Sequence, residues 1–165
     1  MERIINHLIP HKSFVIATEQ ELIQAFRPRD QKKLVVPQVL KFPLTVNTYF
    51  RWKESSGVYT YLIFKRPNWD APRAVAFKRS HPSGEPVGGL CNWCHSYGTS
   101  EEIGMLSVKL NSEVSLSYFL CQDLRCIEKI EENAALGGRN PEKMIQQLYY
   151  RIEKLFEGLS QYHID

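Results

Sequence analysis

All four cysteines of this 165-residue chain fall in two short stretches. "GGLCNWCHSYG" holds Cys91 and Cys94, and "CQDLRC" holds Cys121 and Cys126. Cysteines placed two by two, with none elsewhere, point to convergence on one ion. In CxxC a tight turn brings both sulfurs onto one centre, and backbone N–H groups in the turn can donate to the thiolates. Gly88 and Gly89 before the first pair, and Gly98 after it, suit a turn of unusual backbone angles. The second pair reads as a strand-to-helix junction. Cys121 ends the strand and Cys126 lies in the first helical turn, where a helix N-terminus favours a thiolate.

Four thiolates close a tetrahedral zinc site, leaving no position for water or substrate. In a small subdomain such binding is part of the folding free energy, about 10 kcal/mol or more. Knuckle, hairpin, then helix carrying the last ligand is the treble-clef order. Three other readings stand beside it. His95 can replace one cysteine, since zinc accepts either residue type. A redox dithiol uses one CxxC and leaves Cys121 and Cys126 unexplained. Disulfides need an oxidising compartment. The N-terminal "MERIINHLIPHKSF" has no apolar run of the signal-peptide or membrane-span kind, so a cytoplasmic chain with no membrane partner is expected.

Charge divides unevenly along the chain. Residues 1–80 carry 14 Lys/Arg against 6 Asp/Glu, a net +8, and residues 81–165 carry 7 against 12, a net −5. A basic half calls for an anionic partner, or is ordinary solvated surface.

The secondary-structure signals describe an α+β chain, an antiparallel sheet with flanking helices and a four-cysteine zinc finger. In "TEQELIQAFRP" Thr18 caps a helix while Glu21 reaches back, Leu22, Ile23 and Phe26 form its apolar stripe, and Pro28 stops it. "RDQKKLVVP" adds a further short turn. "TVNTYFRWK" and "VYTYLIFKR" are strands joined at "ESSG", with Gly57 in the turn, and "RAVAFKR" is a third. "RSHPSGEPVGG" is a loop by composition. "MLSVKL" and "VSLSYFL" form a second hairpin around "NSE", followed by a helix from about Asp123. The last helix is capped at Asn140-Pro141, and Met144, Leu148, Ile152, Leu155 and Leu159 give it one apolar face. Residues 1–80 thus form a helix-plus-sheet region and 81–165 the zinc finger with its C-terminal helix, expected to pack as one compact unit.

Function classes narrow accordingly. Four thiolates leave zinc no open position for hydrolysis, and no P-loop, HExxH or nucleophile elbow occurs. His7, His11, His81 and His163 are scattered without catalytic or metal spacing. No small-molecule substrate is therefore expected. RNA binding is one alternative. Tyr49, Arg51 and Lys53 on one strand face, with Tyr59, Tyr61, Lys65 and Arg66, are the types that stack bases and meet phosphates on basic-aromatic sheets, ribosomal RNA being the natural target. The same aromatics equally serve as core between the sheet and the last helix.

The run "PVGGLCNWCHSYGTSEEIGMLSVKL" followed by "YFLCQDLRCIEKI", with "PRAVAFKR" before it, resembles the zinc-finger domain of elongation-factor-G-binding proteins. That family includes the fusidic-acid-resistance proteins of bacteria. The close likeness spans about residues 70–130 and a looser one about 13–160. The resemblance implies a non-catalytic adaptor that grips elongation factor G and helps it leave the ribosome. The helical bundle that usually precedes this domain has no counterpart here, so factor binding rather than antibiotic resistance is the expectation. Carried onto matching positions, Cys91, Cys94, Cys121 and Cys126 are the ligands of one structural Zn2+. Trp93 would stand exposed beside the metal as a partner contact, or close over it as a lid. Lys109 and Tyr118 on the hairpin would extend the same contact face.

Overall fold

A computed structural model describes residues 10–80 and 88–161. The chain opens with a short strand β1 (Phe14–Ile16), helix α1 (Glu19–Gln24) and a single turn α2 (Pro28–Gln31). Thr18 accepts from the Glu21 N–H at 3.1 Å, and the Glu21 carboxylate accepts from the Ala17 N–H at 2.8 Å. The capping box therefore closes one residue further back than its usual form. Pro28, expected as a stop, opens α2, because its fixed φ suits a first helical position.

The segment read as one strand, "TVNTYFRWK", is divided. β2 (Leu44–Val46) pairs with β1 in a two-stranded ribbon that local patterning did not reveal, and β3 (Phe50–Lys53) enters the main sheet. That sheet is antiparallel, in the order β3, β4 (Tyr59–Phe64), β5 (Arg73–Arg79), β8 (Ile103–Lys109), β9 (Ser115–Cys121). Gly57, at φ +74°, turns β3 into β4 as expected. The pairing of Lys78 with Ser107 and Arg79 with Leu106 carries the sheet across position 80. Between β5 and β8 lies the two-stranded knuckle β6 (Gly89–Leu90) and β7 (Tyr97–Gly98). Helices α3 (Cys126–Leu136) and α4 (Glu142–Ser160) end the chain. The expected loop before the knuckle falls mostly on 81–87, outside the described residues.

Both faces of the sheet are covered over much of its area. One carries Leu62, Phe64, Val75, Phe77, Leu106 and Val108 into a core with the four cysteines and with Leu148, Ile152, Leu155 and Leu159 of α4. The α4 stripe read from sequence is thus the lid of this core, and the Asn140 side chain accepts from the Glu142 N–H at 3.0 Å. The other face carries Tyr61, Ile63, Ala74 and Ala76 into a second core with Phe14, Ile16, Leu22, Phe26 and Val46. Burial of apolar surface at about 25 cal/mol per Å2 on two faces explains why β4 is apolar almost without interruption.

Candidate metal centre

The four sulfurs lie within 4.8 Å of one another, and all four residues are buried. Sγ of Cys91 is 3.7 Å from that of Cys126, and Sγ of Cys94 is 3.6 Å from that of Cys121. Ligands bonded at about 2.3 Å to a tetrahedral zinc ion sit about 3.8 Å apart, so the spacing fits. A disulfide needs about 2.05 Å, and all four thiols are free. Hydrogen bonding, first from Cys121 and then from Cys126, lowers the Cys91 thiol to about 7 and Cys94 further. Hydrogen bonding within the same cluster leaves the Cys121 and Cys126 thiols raised, so two of the four sulfurs favour the thiolate unaided and a divalent ion displaces protons from the other two. The donor set is closed and all-sulfur, and the ion it holds is structural Zn2+.

The local backbone explains the convergence. The Trp93 and Cys94 N–H groups donate to Cys91 Sγ at 3.4 and 3.5 Å, as a knuckle turn should. Unusual backbone angles are present, though not where the glycines suggested. Positive φ falls on His95 (58°) and Leu124 (57°), one in each cysteine segment. The knuckle glycines serve close approach instead. A Cβ on Gly88 would meet the Gly98 carbonyl oxygen at 2.3 Å, and one on Gly89 the Phe119 ring at 2.6 Å. His95, the alternative ligand, is exposed and lies outside the sulfur cluster; its N–H donates to the Cys91 carbonyl at 2.9 Å. The second cysteine pair spans the end of β9 and the first residue of α3, which starts at Cys126 rather than Asp123.

Several expected contacts are relocated. Trp93 is not exposed beside the metal. It is 3% accessible, its ring edge-on to Phe77 at 5.8 Å, and Arg151 of α4 donates to its carbonyl. The indole lies in the same core cluster as the four cysteines. Lys109 and Tyr118 do not share a face either. Lys109 pairs with Ser115 and Tyr118 with Leu106, and side chains alternate along a strand, so the two residues point to opposite sides of the hairpin. Tyr118 is half-buried and Lys109 exposed.

The basic-aromatic sheet face is likewise not an open surface. Tyr49 donates its hydroxyl to the Leu124 carbonyl, and Arg51 meets the Glu128 carboxylate at 3.1 Å. Both residues fasten the start of α3 to the sheet. Arg66 is buried in an ion pair with Glu153, Tyr61 is buried, and Lys65 and Tyr59 are half-buried. Lys53 alone of these is fully exposed. Tyr49 packs against the core that holds the cysteines and the last helix, whereas Tyr61, with Tyr59 at its edge, packs into the second core on the other face.

Sequence reading missed the supports of the site. Asn92 mimics a strand partner. Its N–H donates to the Phe119 carbonyl, and its side-chain oxygen accepts from the Phe119 N–H, both at 2.7 Å. Asn133 of α3 donates to the Ser96 hydroxyl at 3.1 Å, and Thr60 of β4 to the Gln122 carbonyl at 3.3 Å. Only Asn92 carried a local signal, its place inside the CxxC turn. Among the described residues no helix is long and apolar enough to cross a membrane. No curated protein and no solved structure gives a significant match. The family model described as "FBP C-terminal treble-clef zinc-finger" matches residues 19–163, nearly the whole chain, and the chain belongs to that family.

Proposed function

We propose that this chain is a non-catalytic, cytoplasmic adaptor that binds elongation factor G and promotes its release from the ribosome. The observation that carries the reading is the closed four-sulfur centre inside a chain of this family. A metal with no open position contributes shape rather than reactivity, and it stiffens a surface built from short strands and turns. A stiff surface binds well because little conformational entropy is lost on docking.

The docking knob is the knuckle itself. Leu90 and Tyr97 face each other across β6 and β7, and they are 56% and 76% exposed. Lys109 and the open rim of Tyr118 are contacts offered from the adjoining hairpin, each on its own side. Trp93 supports the knob from beneath. The test is a pull-down of purified elongation factor G by the zinc-loaded chain, with and without ribosomes. Capture that falls on Leu90→Ser with Tyr97→Ser supports the reading. No capture in either condition removes it.

A further inference from the structure

Beyond the second core, the same face of the sheet carries a polar row across β4, β5, β8 and β9. There Tyr59, Lys78, Ser107 and Ser117 stand in one cross-strand row, and Lys109 stands opposite Ser115 beside it. Four adjacent strands put about 14 Å under that row. Lys33 closes one side, its ammonium 5.6 Å from the centre of the Tyr59 ring. The result is a groove of about 440 Å³ whose lining also includes Arg79, Ser80 and Asp30.

Charge in the groove is mostly positive. Lys33, Lys78, Arg79 and Lys109 line it, and Asp30, the carboxylate among the lining residues, is held by Arg27 at 2.9 and 3.3 Å. The floor is a chain of hydroxyls, Ser80 to Ser107 at 3.0 Å and Ser107 to Ser117 at 2.8 Å. Lysines act as point charges toward phosphate, whereas carboxylates are best gripped by forked guanidiniums, of which this lining has only Arg79. Serine hydroxyls are common donors to phosphate oxygens. A half-exposed tyrosine at the groove edge, its ring lying under the Lys33 ammonium and stacked beside Tyr61, meets a base once Lys33 turns to a phosphate.

We propose that this groove binds the sugar–phosphate backbone of single-stranded RNA, with Lys33, Lys78 and Lys109 meeting phosphates and Tyr59 meeting a base. It is a different surface from the one formed by Tyr49, Arg51 and Arg66; it shares Lys109 with the proposed factor contact, and its test rests on Lys33 and Lys78, which that contact does not use.

The test is fluorescence anisotropy of the zinc-loaded full chain with a labelled single-stranded RNA of about twelve nucleotides, against a poly-glutamate peptide of similar length. Three phosphate contacts give a log–log salt slope of about −2, so raising salt from about 50 to about 200 mM weakens RNA binding roughly fifteenfold. Lys33→Gln with Lys78→Gln flattens that slope by about 1.4. Both positions are exposed, and zinc content together with circular dichroism certifies that the variant is folded. Absence of RNA binding, an unchanged slope in the folded variant, or equally tight binding of poly-glutamate overturns the proposal. The last outcome assigns the groove to an acidic protein segment instead.

Discussion

Arg66 Nε lies 3.3 Å from Glu153 Oε2, with the two side chains only 2% and 4% exposed. The pair ties the end of β4 to the middle of α4 across the core that holds the cysteines. An ion pair this deep gains little over a well-packed apolar pair, yet removing one partner breaks the pair around a charge that stays buried away from water. Glu153→Ala is therefore expected to destabilise the fold by about 3–5 kcal/mol. Arg66→Met combined with Glu153→Leu should recover most of that loss. Denaturant unfolding of both variants decides it, and a double variant as unstable as the single one would contradict the account.

Tyr49 reaches the second cysteine segment through one hydrogen bond, from its hydroxyl to the Leu124 carbonyl. Burial, and then the nearby Cys126 and Glu128 charges, hold the phenol well above its usual value, so it stays a donor at any working pH. Leu124 carries the positive φ that lets β9 turn into α3, and the bond pins that turn. Tyr49→Phe is expected to cost about 1–2 kcal/mol and to speed zinc transfer to a chelator. The neighbouring Arg51–Glu128 pair is partly exposed, and a double-mutant cycle there should return less than about 1 kcal/mol. Unchanged chelation kinetics in Tyr49→Phe would separate the hydroxyl from the metal site.

Local chemistry made part of this fold readable and hid the rest. The cysteine pairs, the Thr18 cap, the Gly57 turn and the α4 stripe are each set by residues within a few positions of one another, so spacing reveals them. The β1–β2 ribbon joins Phe14–Ile16 to Leu44–Val46 across a long chain separation, and no period in either segment announces a partner. Tyr49 and Arg51 have the composition of a nucleic-acid surface, but their burial depends on α3, which arrives over seventy residues later. The exposed place of Trp93 follows from family likeness, which fixes its position in the knuckle but not its burial, and large aromatics fill cores as readily as interfaces. Positive φ at Leu124 has no signal in a side chain that usually avoids it, whereas His95 is of a type that enters that region more often.

His11 offers a pH readout of the interface between the N-terminal segment and α4. Its ring stacks on Tyr149 at 4.2 Å, and burial first, with the Arg66 charge second, lowers its pKa from 6.5 to about 4. Between those values the unfolded chain binds more protons than the folded one. Stability contributed here is therefore complete above about pH 6.5, falls as the pH drops towards about 4, and then levels off. By linkage the loss is at most about 3 kcal/mol. His11→Phe abolishes this dependence, so its stability relative to wild type should rise steadily as pH falls through that window. A gap that stays constant with pH would show that His11 does not titrate on unfolding.

Trp93 and the metal should report on each other. The indole is buried between Phe77 and Tyr118, and its carbonyl is held by Arg151. The knuckle that places it turns about Cys91 Sγ, which accepts from the Trp93 and Cys94 N–H groups, so the ion bound at that sulfur is expected to hold the turn closed. A chelator at neutral pH is expected to expose the indole and shift its emission to the red, and added zinc should reverse the shift. Acid should act in the same direction, because protons compete with the ion for thiolates. Trp52 packs on the other sheet face and Trp69 against Phe64 and Phe156 rather than in the knuckle, so Trp93→Phe should remove most of the signal. Trp93→Ala should cost about 3–5 kcal/mol, as truncation of a core aromatic does, whereas an exposed contact residue would change stability by about 0.5 kcal/mol at most. Stability near wild type in Trp93→Ala, or a full red shift retained in Trp93→Phe, would place the indole outside the zinc core.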